Sequence, residues 1–142
     1  MCGIVGLFLK DRSLEASLGV LLTEMLITMT DRGPDSAGIA IYGNKTDGYT
    51  KLTVQSDTPD LDFLGLDAAL GSAIGGVVQM RVMDTHAVLV IAADHAGAAR
   101  AALRVLRPSV RVMSHGESLE IYKEVGLPKD VAARFDLRSM SG

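Results

Sequence analysis

The sequence contains no tryptophan, and aromatic residues make up only 4% of its 142 positions. A core built around large rings is therefore excluded, so Leu, Ile, Val, Ala and Met must fill the interior. Hydrophobic residues reach 48% and charged residues 22%. This balance is typical of a compact globular domain and excludes an intrinsically disordered chain. A chain of this length can bury a sizeable core.

A single cysteine excludes an internal disulfide, which fits a reducing compartment. No apolar run approaches the roughly 18 residues that a membrane-spanning helix needs. No charged segment with a cleavage site opens the sequence, so we expect no export signal. The net charge is −3, which argues against a nucleic-acid-binding surface. We therefore expect a cytoplasmic protein without membrane or nucleic-acid partners.

The single cysteine is Cys2, directly after the initiator Met1. It opens the apolar run Cys2–Phe8, and the pattern predicts a buried strand over residues 4–9. Removal of Met1 would give Cys2 both a thiol and a free α-amine, whose unperturbed pKa values are about 8.5 and 8. The amine could then act as a base toward the thiol, which is how nucleophiles are activated. The competing interpretation is an inert, buried thiol.

A second motif, Arg-Gly-Pro-Asp-Ser-Ala-Gly, occupies residues 32–38. Together with Met-Cys-Gly-Ile-Val-Gly at residues 1–6, it resembles the class II glutamine amidotransferases, which are N-terminal-nucleophile hydrolases. The resemblance covers residues 1–43. Residues 116–142 resemble the segment before the next motif in glutamate-synthase-like members, including those that make N-methylglutamate.

This resemblance implies hydrolysis of L-glutamine to glutamate and ammonia, with the nitrogen passed to a synthase subunit. It implies catalytic roles for Cys2 as the nucleophile and for Arg32 and Gly33 beside it, without a cofactor. The family's later motifs are His-Thr-Arg, which binds the substrate α-carboxylate, and Asn-Gly, which forms the oxyanion hole. Neither occurs in this sequence. The substrate-binding residues therefore stay unknown, and we expect the 142 residues alone to be incomplete, nearly inactive and prone to form a homo- or hetero-oligomer.

Two other interpretations stay open. The chain could be a non-catalytic, amidotransferase-like interaction subunit, or a small-ligand-binding α/β module centred on residues 49–115. A metal site is not expected, because the spacing of the three histidines matches no ligand pattern. We expect these histidines to be solvated or capping: His86 in a turn, His95 early in a helix and His115 at the end of a strand.

The apolar spacing predicts a helix that either Asp11 or Ser13 caps, because apolar residues from Leu14 to Met29 form one stripe at helical spacing. Pro34 requires that helix to end. Ala37–Tyr42 is predicted as a strand, and a turn over residues 43–48 leads to a third strand, Tyr49–Gln55, as its hairpin partner.

From Tyr49 onward the pattern predicts a β-α-β-β-α-β series, the ferredoxin-like order. The later elements are a helix over Leu61–Leu70, strands over Gly76–Met83 and Ala87–Ala92, a helix over Asp94–Leu106 and a strand over Ser109–Ser114. We therefore predict an α+β fold. Residues 1–48 would begin an N-terminal-nucleophile hydrolase sheet-and-helix layer, residues 49–115 would be an inserted α/β unit, and residues 116–142 would return to a truncated amidotransferase domain.

Overall fold

The computed structural model describes residues 3–142 and confirms an α+β protein, whose strands in these residues form two sheets. The helices are α1 Leu18–Thr28, α2 Pro59–Asp62, α3 Leu66–Ile74, α4 Ala96–Leu106 and α5 Pro128–Arg134. The strands are β1 Ser36–Tyr42, β2 Tyr49–Gln55, β3 Gln79–Met83, β4 His86–Ala92, β5 Arg111–Gly116 and β6 Leu119–Val125. Short 3-10 helices cover Arg12–Ser17, Thr30–Arg32, Ala93–His95 and Leu137–Ser139.

The chain divides into two compact units. The motif unit contains the residues up to Ile39 together with Tyr122–Gly142, and the sheet unit is Ala40–Ile121. The division falls within strands β1 and β6. Whether residues 49–115 are an insertion into an amidotransferase domain stays a prediction.

The first helical segment of the motif unit begins where the sequence predicts it. Asp11 caps the 3-10 turn, because its Oδ1 accepts hydrogen bonds from the backbone N–H of Ser13 at 2.9 Å and from its hydroxyl at 2.8 Å. These bonds hold the pKa of Asp11 below its usual value. The buried residues of α1 are Gly19 and Thr23, whereas Leu21 of the predicted apolar stripe is exposed.

Gly19 is buried because the end of the chain packs directly against it. Its backbone N–H donates to the carbonyl of Met140 at 3.0 Å. A methyl group at Gly19 would clash with the carbonyl oxygen of Leu137 and lie 2.6 Å from that of Met140. An ion pair between Arg138 and Glu24 joins the same two segments. The helix therefore contacts the chain end through backbone rather than through leucine side chains.

The prediction of a buried strand over residues 4–9 is wrong. These residues form no strand in the part of the chain that the structure describes, and Ile4 and Phe8 are 96% and 85% exposed. Apolar, β-branched residues favour a strand, but a strand also needs a neighbour to accept its backbone hydrogen bonds. The segment therefore has the composition of a strand, but no strand among residues 3–142 pairs with it.

The predicted hairpin between β1 and β2 is also wrong, although both strands form where predicted. Strand β1 pairs with β6 in a two-stranded sheet. Backbone bonds flank this pair, from Gly126 N–H to Asp35 O at 2.9 Å and from Gly43 N–H to Ser118 O at 3.0 Å. Their order along the chain makes the pair antiparallel.

Strand β2 has no open edge for β1, because it is a central strand of the sheet unit. The second sheet has the order β3-β4-β2-β5, and each neighbouring pair is antiparallel. The predicted β-α-β-β-α-β order is therefore observed, with two short helices in the first helical position. The helix-facing core includes Leu52, Leu66, Leu89, Ile91 and Leu103.

Two local predictions in the sheet unit need correction. The helix predicted over Leu61–Leu70 is split into α2 and α3 at Gly65, whose φ of 63° is left-handed and suits glycine. His86 is fully buried at the start of β4 rather than solvated in a turn. Its ring Nδ1 lies 3.0 Å from the hydroxyl oxygen of Thr85. The polar turn is one residue shorter than predicted, so His86 joins the strand.

Residues 116–142 form elements that the sequence analysis did not predict. Strand β6 is followed by α5, which begins at Pro128, a residue suited to the first turn of a helix. Tyr122 of β6 packs on Phe135 with ring centroids 5.2 Å apart, and both side chains are fully buried. These two rings, with Val131 and Leu137, form the core of this part of the motif unit, so the expectation that only aliphatic residues and Met fill the interior is wrong here.

We expect Gly19→Ala to lower the free energy of unfolding by about 1–3 kcal/mol, because the new methyl group meets backbone that cannot move aside. Urea unfolding followed by circular dichroism measures this. Gly97→Ala in α4 is the matched control, since no heavy atom lies within 4 Å of the added methyl. Better helix propensity should stabilise that variant by about 0.5–1 kcal/mol. If Gly19→Ala and Gly97→Ala changed the free energy of unfolding by the same amount in the same direction, the close packing at Gly19 would be contradicted.

The carboxylate of Asp62 joins α2 to the ends of two strands. It accepts hydrogen bonds from the hydroxyls of Ser56 at 2.5 Å, Thr58 at 3.1 Å and Ser109 at 2.8 Å. The Ser56 bond is the main reason that the pKa of Asp62 lies below its usual value, and the Arg107 charge adds to this effect against the opposing effect of burial. A lowered folded-state pKa gives stability that is present above about pH 4 and lost as pH falls further.

We therefore expect Asp62→Asn to cost about 1–2 kcal/mol at pH 7, with the difference from wild type shrinking below about pH 4. Unfolding measured by urea at both pH values tests this. Asp60→Asn, on the exposed side of the same helix, removes an equal charge and should change stability little. A pH-independent difference between Asp62→Asn and wild type would refute the assigned role.

Candidate functional site

The Arg-Gly-Pro-Asp motif lies in a tight turn between α1 and β1. The backbone N–H of Arg32 donates to Met29 O at 2.9 Å, and that of Gly33 donates to Thr30 O at 3.2 Å. Pro34 has no amide hydrogen to continue this series, so the chain leaves the turn and enters β1. The turn predicted between helix and strand is confirmed.

This turn forms a wall of a cleft of about 270 Å³ in the motif unit, here called the motif cleft. Its lining consists of residues 32–38 together with Gly3, Leu26, Met29 and Pro128. The first residue that the structure describes, Gly3, is therefore brought beside the second sequence motif. Two segments that the sequence keeps far apart share one small concave site.

Gly3 packs closely against the helix end and the turn. A methyl group at this position would clash with Cε of Met29 and lie 3.1 Å from Cβ of Arg32. A Cβ contact that short is tighter than nearly all real ones, so the neighbouring atoms would have to move. The absence of a side chain at residue 3 is what allows the N-terminal segment to lie against Arg32.

Gly33 is different, because nothing in its own conformation demands glycine. Its φ of −161° is extended backbone, and the nearest atom to an added methyl would be Ser36 O at 4.0 Å. The backbone carbonyl of Asp35 accepts the Gly126 N–H and so fixes the start of β1 against β6.

The structure thus brings together Gly3, Arg32 and Gly33, while Cys2 lies outside the described residues. Met29 and Pro128 also line the motif cleft, although neither was expected from the sequence. Met29 closes the apolar series of α1, so its position at a helix end could have indicated it. Pro128 carried no such indication, because it reaches the motif cleft only through the pairing of β6 with β1.

The charged side chains of the motif cleft belong to Arg32 and Asp35. The two carboxyl groups whose pKa is lowered, Asp11 and Asp62, lie outside its lining. Among residues 3–142, no group of three His, Cys, Asp or Glu side chains is placed to hold a metal ion. The motif cleft therefore presents one cation, one carboxylate and the backbone of a tight turn.

Comparison with known proteins identifies relatives along the whole chain. The 142 residues are 61% identical to the glutamine amidotransferase-like protein GlxB of Rhizobium meliloti and cover 47% of its length. They are 30% identical, over 155 residues, to a putative glutamine amidotransferase of Methanothermobacter thermautotrophicus and cover 49% of its length. No family model matches the chain.

The chain is a homologue of proteins named for glutamine amidotransfer. This similarity supports the general amidotransferase relationship predicted from the two motifs. The chain spans about half the length of both relatives. In the part of the chain that the structure covers, no helix has the length and apolar character needed to cross a bilayer.

Proposed function

We propose that this chain carries the nucleophile-bearing part of a class II glutamine amidotransferase domain with an N-terminal-nucleophile fold. The observation that carries the proposal is the motif cleft, in which Gly3 lies against the Arg32-Gly33 turn. Cys2 is joined to Gly3 by one peptide bond, and consecutive Cα atoms are about 3.8 Å apart. The thiol is therefore tethered to a residue of the motif-cleft wall.

The proposed reaction begins with removal of Met1, which frees the α-amine of Cys2. The amine, directly or through water, takes the thiol proton, and the thiolate attacks the side-chain carbonyl carbon of glutamine. Collapse of the tetrahedral intermediate breaks the C–N bond while the α-ammonium of Cys2 gives its proton to the leaving nitrogen, so that ammonia is released and a thioester remains on Cys2. Water then hydrolyses the thioester and releases glutamate. The tetrahedral intermediate of each step needs a pair of donors that stabilises its oxyanion.

We assign positioning roles to Arg32 and Gly33. Arg32 packs on Gly3 through its Cβ, so it holds the segment that carries the nucleophile. The groups for the glutamine α-carboxylate and for the oxyanion have no matching motif in these 142 residues. We propose that another polypeptide segment supplies them and that a synthase partner receives the nitrogen. Loss of one oxyanion donor typically costs about 10²–10³ in rate, so the 142 residues alone should be nearly inactive.

We expect Cys2→Ala to abolish glutaminase activity in the complete protein and Cys2→Ser to lose most of it, because a hydroxyl is a much weaker nucleophile. Ammonia release from glutamine gives the rates, and N-terminal mass shows whether Met1 has been removed. Diazo-oxo-norleucine should label Cys2 covalently in wild type and leave both variants unlabelled. Activity that survives Cys2→Ala would sink the proposal and favour a non-catalytic interaction subunit.

A matched glycine pair tests the geometry of the motif cleft. In the complete protein, Gly3→Ala should lower kcat for ammonia release from glutamine about tenfold. The new methyl group displaces the nucleophile-bearing segment from Arg32, and small misplacements of reacting groups slow catalysis strongly. Gly6→Ala lies in the same N-terminal segment, with no heavy atom within 4 Å of the added methyl, and should leave kcat unchanged. Equal rates in the two variants would show that the contact between Gly3 and Arg32 does not position the nucleophile.

A further inference from the structure

The four-stranded sheet of the sheet unit has a second face, opposite the helix-facing core. Leu52, Leu89 and Ile91 pack with the helices. Because side chains alternate along a strand, Lys51 and Val90 point to the opposite face. That face contains a cleft of about 350 Å³, here called the charged cleft. It shares no lining residue with the motif cleft.

Strand register explains how the charged cleft is built. Lys51, Val90 and Gln79 are directly opposite one another on β2, β4 and β3. Val88 of β4 is the partner of Arg81 in the next row of this face. The two valines of the central strand therefore supply an apolar floor. The two cations lie on the strands to either side of it.

A single carboxylate, that of Glu120 on β6, joins the two cations. Its Oε1 lies 2.8 Å from Lys51 Nζ, and its Oε2 lies 2.8 Å from Arg81 Nη2. The side chains of Glu120 and Lys51 are only 11% and 17% exposed. Burying a charged group costs free energy, and a single cation would be enough to neutralise the Glu120 carboxylate. The lining of the charged cleft nevertheless holds two cations, so its charged side chains sum to a net positive charge.

Two further features of β2 lie near the charged cleft but outside its lining. Oγ1 of the fully buried Thr53 has no hydrogen-bond partner within residues 3–142, and Thr53 is the cross-strand partner of Val88. The pairing of β2 with β5 slips between Thr53 and Val54, which inserts Met113 as an extra residue. Bulges of this kind are frequent beside ligand sites. The irregular pairing therefore begins beside the row of Thr53 and Val88, which adjoins the row of Lys51 and Val90.

We propose that the charged cleft binds a small organic anion, a carboxylate with a short apolar chain. Lysine has three N–H donors, of which Glu120 takes one, and the Arg81 side chain is 55% exposed at the cleft. Both groups make strong, charge-assisted hydrogen bonds to carboxylates. The apolar chain would lie on Val88 and Val90. The proposal does not depend on glutamine hydrolysis, because the two clefts share no residue.

The test uses the intact protein and three ligands of matched shape: butyrate, butyramide and butylammonium at constant ionic strength. Backbone amide NMR spectra report binding residue by residue. Butyrate should shift the amides of β3, β4 and β6 saturably, with an affinity of about millimolar because the ligand has few atoms. Butyramide and butylammonium should not. Preference for butylammonium, or no saturable shift with butyrate, would overturn the proposal and make the triad structural only.

Variants sharpen the test. Lys51→Met keeps the aliphatic stem and removes the charge, and it should weaken butyrate binding about tenfold, whereas Lys51→Arg should restore it. Arg100→Gln removes one positive charge from an exposed position on α4 and should leave binding unchanged. If Lys51→Met does not fold, the more exposed Arg81→Gln replaces it. Unchanged butyrate affinity in either folded variant would refute the site.

Discussion

The antiparallel pairing of β1 with β6 is the interaction on which the motif cleft depends. Asp35 lies at one end of this pair and accepts a hydrogen bond from Gly126, the residue that follows β6. Pro128 begins α5 just beyond, so the pairing carries it to the wall formed by residues 32–38. Without the pair, the Arg-Gly turn would remain but the opposite wall would be absent.

This pairing closes a long stretch of chain, and loop closure costs conformational entropy that rises slowly with length. This entropy cost is offset because the residues between the two strands fold into their own four-stranded sheet and helix-facing core. Strand β2 at the centre of that sheet is hydrogen-bonded on both sides. The intervening segment is thus an ordered unit rather than a flexible loop.

The two clefts differ in whether backbone or side chains form their walls. The motif cleft is formed by a backbone turn and closely packed glycine, which suits the placement of a nucleophile against a substrate carbonyl. The charged cleft is formed by side chains on a sheet face, with an apolar floor and an ion-pair triad in which Lys51 and Glu120 are largely buried. We propose the first arrangement for chemistry at a neutral amide and the second for recognition of an anion.

Local sequence patterns determined much of this protein. Three local predictions are confirmed, because each depends on neighbouring residues alone: a helix within residues 14–29, its end before Pro34 and the strand over Tyr49–Gln55. The resemblance carried by residues 1–6 and 32–38 indicated glutamine amidotransfer, which the named relatives support. The same motif indicated roles for Arg32 and Gly33; both line the motif cleft, and their role in catalysis is our proposal.

Only the tertiary structure decided which strands pair and which side chains are buried. The partner of β1, the exposure of Ile4, the burial of His86 and the approach of Pro128 to the motif cleft all depend on residues distant in sequence. The triad of Lys51, Arg81 and Glu120 likewise joins three strands. Periodicity shows that a segment has an apolar face, but the neighbour that covers the face is chosen by the packing of the whole chain.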